Sequence, residues 1–258
     1  MKWSLLLAII FILSVQTMKG QQVNDVYKYF DAAWKPVKEK KAVYLLRIRF
    51  TKDSCWQFSY YNIFGPLIRI EPYQDQKATM RHGLFAWYNE DGRLDSSGYY
   101  DHGMQDKDWI YPDAEGKIHK EQYFNKGKAL TDKEFREKLK AEEIIDPAFP
   151  DFSRLSPESY FPGGQDGWNQ YLATNLRYPN RAVDNMVKGT VLALFLVKPS
   201  GKLQDIRLLK SIELSLDDTA TQMIENSPDW VPAIKLDHKV KSFKVQPIVF
   251  KLEVSNRG

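Results

Sequence analysis

Apolar and polar positions alternate over much of the first half of the chain. Val43-Tyr44-Leu45-Leu46-Arg47-Ile48-Arg49-Phe50 and Trp56-Gln57-Phe58-Ser59-Tyr60 carry the two-residue period of half-buried strands. Residues 21–42 show no clear period, so a strand-rich, aromatic region is expected from about Val43 to Lys128. Within it, GLFAWYNEDGRLDSSGYYDHG (83–103) is echoed by KDWIYPDAEGKIHKEQYFNKG (107–127). Gly92 and Gly116, Tyr100 and Phe124, and Gly103 and Gly127 are each 24 residues apart, whereas Trp87 and Trp109 are 22 apart. The second copy therefore carries two extra residues ahead of its turn. Each unit reads as strand, Asp-Gly or Glu-Gly turn, strand, then a second glycine turn, and such dipeptides supply the positive φ of tight hairpins. Trp56 to Gly65 reads as a degenerate earlier copy. A unit this small cannot bury its apolar face alone, so the copies must stack into a meander.

The period changes at Ala129. Thr131-x-x-Glu134 is a capping box opening a charged helix with Phe135, Leu139 and Ile144 on one side. Pro147, Pro150, Pro157 and Pro162 then interrupt any regular element, and residues 129–160 read as a linker. From Phe161 a Pro-Gly-Gly turn leads into a helix capped near Asp166, with Trp168, Leu172 and Leu176 at helical spacing and a stop at Tyr178-Pro179. A short helix fits Asn180 to Met186. Gly189 to Val197 is a strand apolar on both faces, and Lys198-Pro199-Ser200-Gly201 turns it into a second strand, Leu203 to Lys210. Ser215 caps a helix to about Asn226 with the stripe Leu216, Ala220, Met223 and Ile224, and Ser227 to Pro232 is a rigid connection. In the last strand, Phe243 to Val254, Phe243 and Val245 share one phase while Ile248, Phe250, Leu252 and Val254 share the other. That slip predicts a bulge at Gln246-Pro247, and a proline belongs at an edge or a bulge, so one side of the strand is expected to be free.

Composition narrows the function. The 258 residues make one large or two small domains, and 43% hydrophobic with 14% aromatic content supplies a core. A net charge of +4 is too small and too dispersed for nucleic-acid binding. The single cysteine, Cys55, excludes an internal disulfide and a cysteine zinc site. His82, His102, His119 and His238 never stand three or four apart, so no metal site is expected. No hydrolase, zincin, phosphate-loop or dinucleotide motif occurs. Gly163-Gly164 follows a proline rather than a strand, and Asp217-Asp218 read as first-turn helix acids. Glu90-Asp91 and Asp113-x-Glu115 read as solvated turn acids. No catalytic, cofactor or metal residues are therefore assigned, and the chain reads as a non-enzyme. At the start, Lys2 and the 13-residue apolar run Trp3–Val15 are too short for the about 20 residues of a spanning helix and fit a signal peptide ending near Gly20. Export follows, with a retained short anchor as the competing reading.

The repeat units resemble MORN-like repeats of the YwqK antitoxin-component type, which implies a β-meander scaffold across 21–128. The C-terminal residues 161–258 resemble the TonB C-terminal domain. The match is carried in order by Phe161-Pro162-Gly163-Gly164, Leu176-Arg177-Tyr178-Pro179 with Ala182, Gly189-Thr190-Val191, Phe195-x-Val197, Lys198-Pro199-Ser200-Gly201-Lys202-Leu203, Asp218-x-Ala220, Trp230-x-Pro232 and Pro247-Ile248-Val249-Phe250. This resemblance implies an α+β chain whose C-terminal domain places two helices on a three-stranded antiparallel sheet. It also implies a periplasmic protein that takes an extended segment of an outer-membrane TonB-dependent receptor onto its last strand, within Lys241 to Leu252, and so supports transport. The residues implied in partner binding are Tyr178, Pro179, Phe243, Val245, Pro247, Val249 and Lys251. Inner-membrane motor proteins are implied only if the N-terminal segment is retained. The family's long periplasmic stretch is reduced here to the 32 residues of 129–160, which keeps a second reading in view: an exported structural or envelope-binding protein without energy coupling.

Overall fold

The computed structural model describes residues 25–113, 118–141, 158–235 and 237–252. The apolar segment 1–20, Ile144, Pro147, Pro150, Pro157 and Val254 lie outside them. The N-terminal part is an antiparallel meander of nine strands in chain order: β1 (Val26–Phe30), β2 (Tyr44–Phe50), β3 (Trp56–Asn62), β4 (Leu67–Tyr73), β5 (Gly83–Tyr88), β6 (Leu94–Asp101), β7 (Met104–Pro112), β8 (Ile118–Asn125) and β9 (Lys128–Ala129). β1 falls in the stretch with no readable period, since none of its side chains is fully buried.

Strand alternation divides the meander into two faces. Leu45, Tyr61, Leu67, Ala86, Tyr88, Leu94 and Ile110 point to one side and are buried in a core shared with the C-terminal part. On the other side Leu46, Ile48 and Phe58 form a smaller cluster. Beside it runs a ladder of rings, with Phe58–Tyr73, Tyr73–Phe85, Phe85–Tyr100, Tyr100–Trp109 and Trp109–Phe124 centroids 5.4, 5.7, 4.7, 5.3 and 6.0 Å apart. Tyr100, Trp109 and Phe124, from the two echoed segments, are rungs of this ladder, at spacings where aromatic pairs attract. Gly98 faces Trp109 across the β6–β7 pair, and a Cβ there would lie 2.1 Å from the indole.

After β9, α1 (Asp132–Ala141) opens on the expected capping box. The Thr131 amide donates to Glu134 Oε2 at 2.8 Å and the Glu134 amide donates to Thr131 Oγ1 at 3.3 Å. The C-terminal part comprises α2 (Gly164–Asn175), α3 (Asn180–Asp184), β10 (Gly189–Val197), β11 (Leu203–Lys210), α4 (Leu214–Glu225), β12 (Ala233–Lys235), β13 (His238–Val240) and β14 (Ser242–Phe250). Its three-stranded antiparallel sheet has the order β11-β10-β14, and β12 pairs with β13 alone. This layout departs from two helices on three strands: α3 and the β12–β13 hairpin are additional. One sheet face carries Phe195, which meets Trp230 at 4.9 Å, and Trp230 meets Trp168 of α2 at 5.9 Å. The α4 stripe of Leu216, Ala220 and Ile224 is fully buried.

Three sequence expectations are corrected here. α4 is capped by Glu213 rather than Ser215: the Glu213 carboxylate accepts from the Ser215 amide at 2.8 Å. α2 starts at Gly164 after a left-handed Gly163, with Asp166 in its first turn. No bulge occurs at Gln246-Pro247, because β14 pairs with β10 in unbroken register from Gly189–Phe250 to Val197–Ser242. The two apolar phases reflect burial on both sides of the sheet: Phe243 and Val245 pack against the common core from the face opposite Ile248 and Phe250. The irregularity sits on the other edge strand. β11 shifts register between Leu194 and Leu196, with Asp205 at φ 55°.

That irregularity aims Asp205 at the N-terminal meander, where it accepts from the Tyr99 hydroxyl. Arg207, buried, donates to Asp108 at 2.6 Å. Just beyond β11 the Ser211 amide donates to the Gly92 carbonyl and the Leu67 amide to Ser211 Oγ, both at 2.8 Å. Arg47 of β2 pairs with Asp218 of α4, and Arg181 donates to Glu213 at 2.5 Å and to the Ile63 carbonyl. Asp217, in the first turn of α4 as expected, and Asp218 thus also lie at the seam. Asp217 is buried, accepts from Ser211 Oγ at 2.5 Å and from the Ile212 amide at 3.0 Å, and burial lifts its carboxyl to about 7 against these hydrogen bonds. Asp25 behaves oppositely: burial pulls it up, but the hydrogen bond and charge of Arg49 outweigh this and hold it below the ordinary range.

Two outcomes follow. Gly98→Ala should cost about 2–3 kcal/mol by driving a methyl into the Trp109 ring, read as a lowered urea midpoint; an unchanged midpoint would contradict this packing. Asp217 binds its proton more tightly folded than unfolded, so its stability contribution is complete below the ordinary value of 3.8 and is lost as pH rises toward about 7. Comparing unfolding free energies across that window, Asp217→Asn should remove a decline present in the parent chain; parallel curves would rule it out.

Candidate functional site

A three-stranded sheet has two edges, and here they differ. β11 meets the meander through the side chains of Asp205 and Arg207 and, at its last residue, through an isolated bridge between Arg93 and Lys210. β14 pairs with β10 on one side and, among the described residues, with no strand on the other. An antiparallel ladder alternates pairs that exchange two main-chain bonds with pairs that exchange none. Pro247 stands opposite Leu192 without disturbing the register, and a residue with no N–H fits there without loss only at a non-exchanging pair. In that phase Val245, Pro247 and Val249 turn their main-chain groups away from β10.

The C-terminal end of this edge borders a cleft of about 390 Å³ lined by Leu176, Tyr178, Val249, Phe250 and Lys251. Val249 is 45% exposed, and Pro247 and Lys251 are also exposed. Tyr178 is held by two contacts. Its hydroxyl donates to the Val187 carbonyl at 2.6 Å, and its ring meets Phe250 edge-on at 5.7 Å; burial raises its pKa above the ordinary phenol value. Tyr178 is thus both a latch across α3 and a wall of the cleft.

The seven residues singled out from sequence separate into two groups. Tyr178, Val249 and Lys251 come together at the cleft, with Pro247 next along the same edge. Pro179 does not line the cleft; it starts α3, its carbonyl accepting from the Ala182 and Val183 amides at 3.0 Å each. The side chains of Phe243 and Val245 are committed to the core. Leu176 was missed as a lining residue. It precedes Tyr178 by two in an extended segment, and that period of two, which turns both side chains to one side, is the signal that would have found it.

Among the described residues no helix is long and apolar enough to cross a membrane. Residues 174–252 match the family model described as Gram-negative bacterial TonB protein C-terminal. No curated protein matches the chain. Among solved structures, the chain is similar to the NMR solution structure of Helicobacter pylori TonB-CTD (residues 179-285), at 21% identity over 33% of this chain and 79% of that one, with a TM-score of 0.24. The stretch that carries β10, β14 and the cleft is thus TonB-like in sequence.

Tyr178→Phe keeps the ring and deletes the bond to Val187. It should lower stability by about 1 kcal/mol in urea denaturation, and no change would show that the latch is not load-carrying.

Proposed function

We propose that this chain is an exported, TonB-like interaction protein that receives an extended segment of an outer-membrane receptor along the β14 edge and so supports receptor-dependent transport. The observation that carries the reading is the open edge of β14 beside the Tyr178 cleft, within the stretch that matches the TonB family. Main-chain hydrogen bonds supply affinity in strand addition and side-chain pockets supply selectivity. At a net ~0.5–1.5 kcal/mol each, four to six such bonds give about 2–9 kcal/mol. Association costs about 4–15 kcal/mol, so binding is weak unless the cleft takes a side chain of the visiting segment. Release is then fast, which suits a transient coupler in the periplasm. The reading includes no catalytic role.

In this reading the MORN-like meander is a rigid platform rather than a tether. Motor proteins of the inner membrane enter only if the apolar N-terminal segment stays attached; without it no pulling force can reach the β14 edge. The shared core and polar seam between the two parts support the second reading, an envelope-binding structural protein with no energy coupling, because they fix the C-terminal part to a broad sheet.

Titration of the exported chain with peptides from the periplasmic ends of outer-membrane receptors separates the two. Micromolar or weaker binding is expected. Val249→Pro, which deletes an outward N–H, should weaken it at least tenfold, while Met104→Ala, at a 44% exposed side chain on β7 of the N-terminal meander, should leave it unchanged. Absence of peptide binding, or equal binding by Val249→Pro, would favour the structural reading.

A further inference from the structure

The hairpin of β5 and β6 pairs Gly83 with Tyr100, so the next step of the register sets His82 opposite Asp101. His102 follows at the turn into β7, in a left-handed conformation with φ 46°. Its ring folds back toward His82, the two centroids lying 5.5 Å apart. His82 Nδ1 is 3.0 Å and His102 Nδ1 2.7 Å from one atom, Asp101 Oδ1. Ligand atoms of all three residues fall within 4.8 Å of one another. His82 and His102, scattered along the sequence, are therefore partners in space, brought together by strand register rather than helical spacing.

An aspartate hydrogen-bonded to one histidine is an ordinary surface arrangement. Two features go beyond it. Both Nδ1 atoms converge on a single carboxylate oxygen, and His82 Nδ1 is buried yet makes no well-angled hydrogen bond among the described residues. The neighbouring cation, Arg81, is directed elsewhere: its guanidinium lies over the Tyr100 ring at 5.1 Å and reaches the Tyr100 hydroxyl at 3.4 Å. The Met80 sulfur lies over the same turn, 3.6 Å from where a Cβ on Gly103 would stand.

We propose that His82, Asp101 and His102 form a binding site for a divalent transition metal of tetragonal preference, Cu²⁺ before the others. Ligands about 2.0–2.1 Å from a metal sit about 2.9 Å apart at a right angle and about 3.4 Å apart in a tetrahedron, and tetragonal nitrogen–oxygen sets favour Cu²⁺ or Ni²⁺. The observed 3.0 and 2.7 Å match the right angle. Cu²⁺ also heads the affinity order for a given nitrogen–oxygen set. A metal here would clip the start of β5 to the β6–β7 turn, adding stability in proportion to its occupancy.

The full chain, stripped with chelator, is titrated with Cu²⁺ and followed by calorimetry, thermal unfolding and electron paramagnetic resonance. One equivalent should bind, raise the unfolding midpoint and show coupling to two nitrogens. His82→Gln and His102→Asn, the latter chosen because asparagine tolerates the left-handed turn, should each weaken binding at least tenfold, while His119→Gln and His238→Gln should not. If His82→Gln fails to fold by circular dichroism, His102→Asn carries the test alone. Copper binding that survives His102→Asn, a one-nitrogen signal, or loss of binding in His119→Gln or His238→Gln instead would overturn the site.

Discussion

An edge strand presents a row of main-chain groups that something must satisfy, and the small C-terminal sheet has two such edges. How each edge is treated governs the rest of the molecule. β11 is drawn against the meander, its irregularity aiming Asp205 at Tyr99 and its Arg207 at Asp108. β14 keeps a regular register with β10 and turns its far side outward. One edge faces the meander, and the other pairs with no strand among the described residues. Pro247 in β14 tempers the hazard of an open edge, since one potential donor is missing from the exposed row.

The seam combines apolar burial with buried charge. Leu45, Tyr61 and Ile110 share a core with Leu194 and Phe195, and Arg47, Arg181 and Arg207 each meet a carboxylate. Buried ion pairs are weak contributors to net stability, but removing one partner leaves an uncompensated charge, so such pairs penalise misaligned docking. Ser211 adds direction: its amide donates to the Gly92 carbonyl, while its hydroxyl accepts from the Leu67 amide and donates to Asp217. Repeat glycines serve this join as well as their turns, because a Cβ on Gly92 would lie 2.4 Å from the Ser211 carbonyl.

Much of this was legible from local signals. The period of two in Val43–Phe50, the capping box at Thr131 and the turn at Lys198–Gly201 each fix a structure over a few residues, and each appears where the sequence puts it. What the sequence misread depends on neighbours distant in the chain. The phase slip in β14 resembles a bulge only when one face of a strand is assumed wet throughout, and here Phe243 and Val245 pack against the core on the face that Pro247 and Val249 leave exposed. Glu213 caps α4 because Arg181 neutralises it from α3. Asp217 is a first-turn acid of α4 as read, but its bond from Ser211 and the pairing of Asp218 with Arg47 across the seam are not visible in local spacing. His82 and His102 meet through strand register, a relation that residue spacing along one chain does not display without the pairing. Of the seven candidate partner residues, those whose side chains alternate outward at the end of β14 reached the cleft, and those nearer its start were claimed by the core.

The two edges of the C-terminal sheet are therefore unequal. Residue-resolved amide hydrogen exchange on the full chain measures this directly. The Val245 and Val249 amides should exchange quickly, those of Ile248 and Phe250 slowly through their bonds to β10, and addition of a receptor peptide should slow the first pair selectively. Protection of Val245 and Val249 in the free chain, equal to that of Ile248 and Phe250, would mean that the β14 edge is already satisfied and would contradict the account.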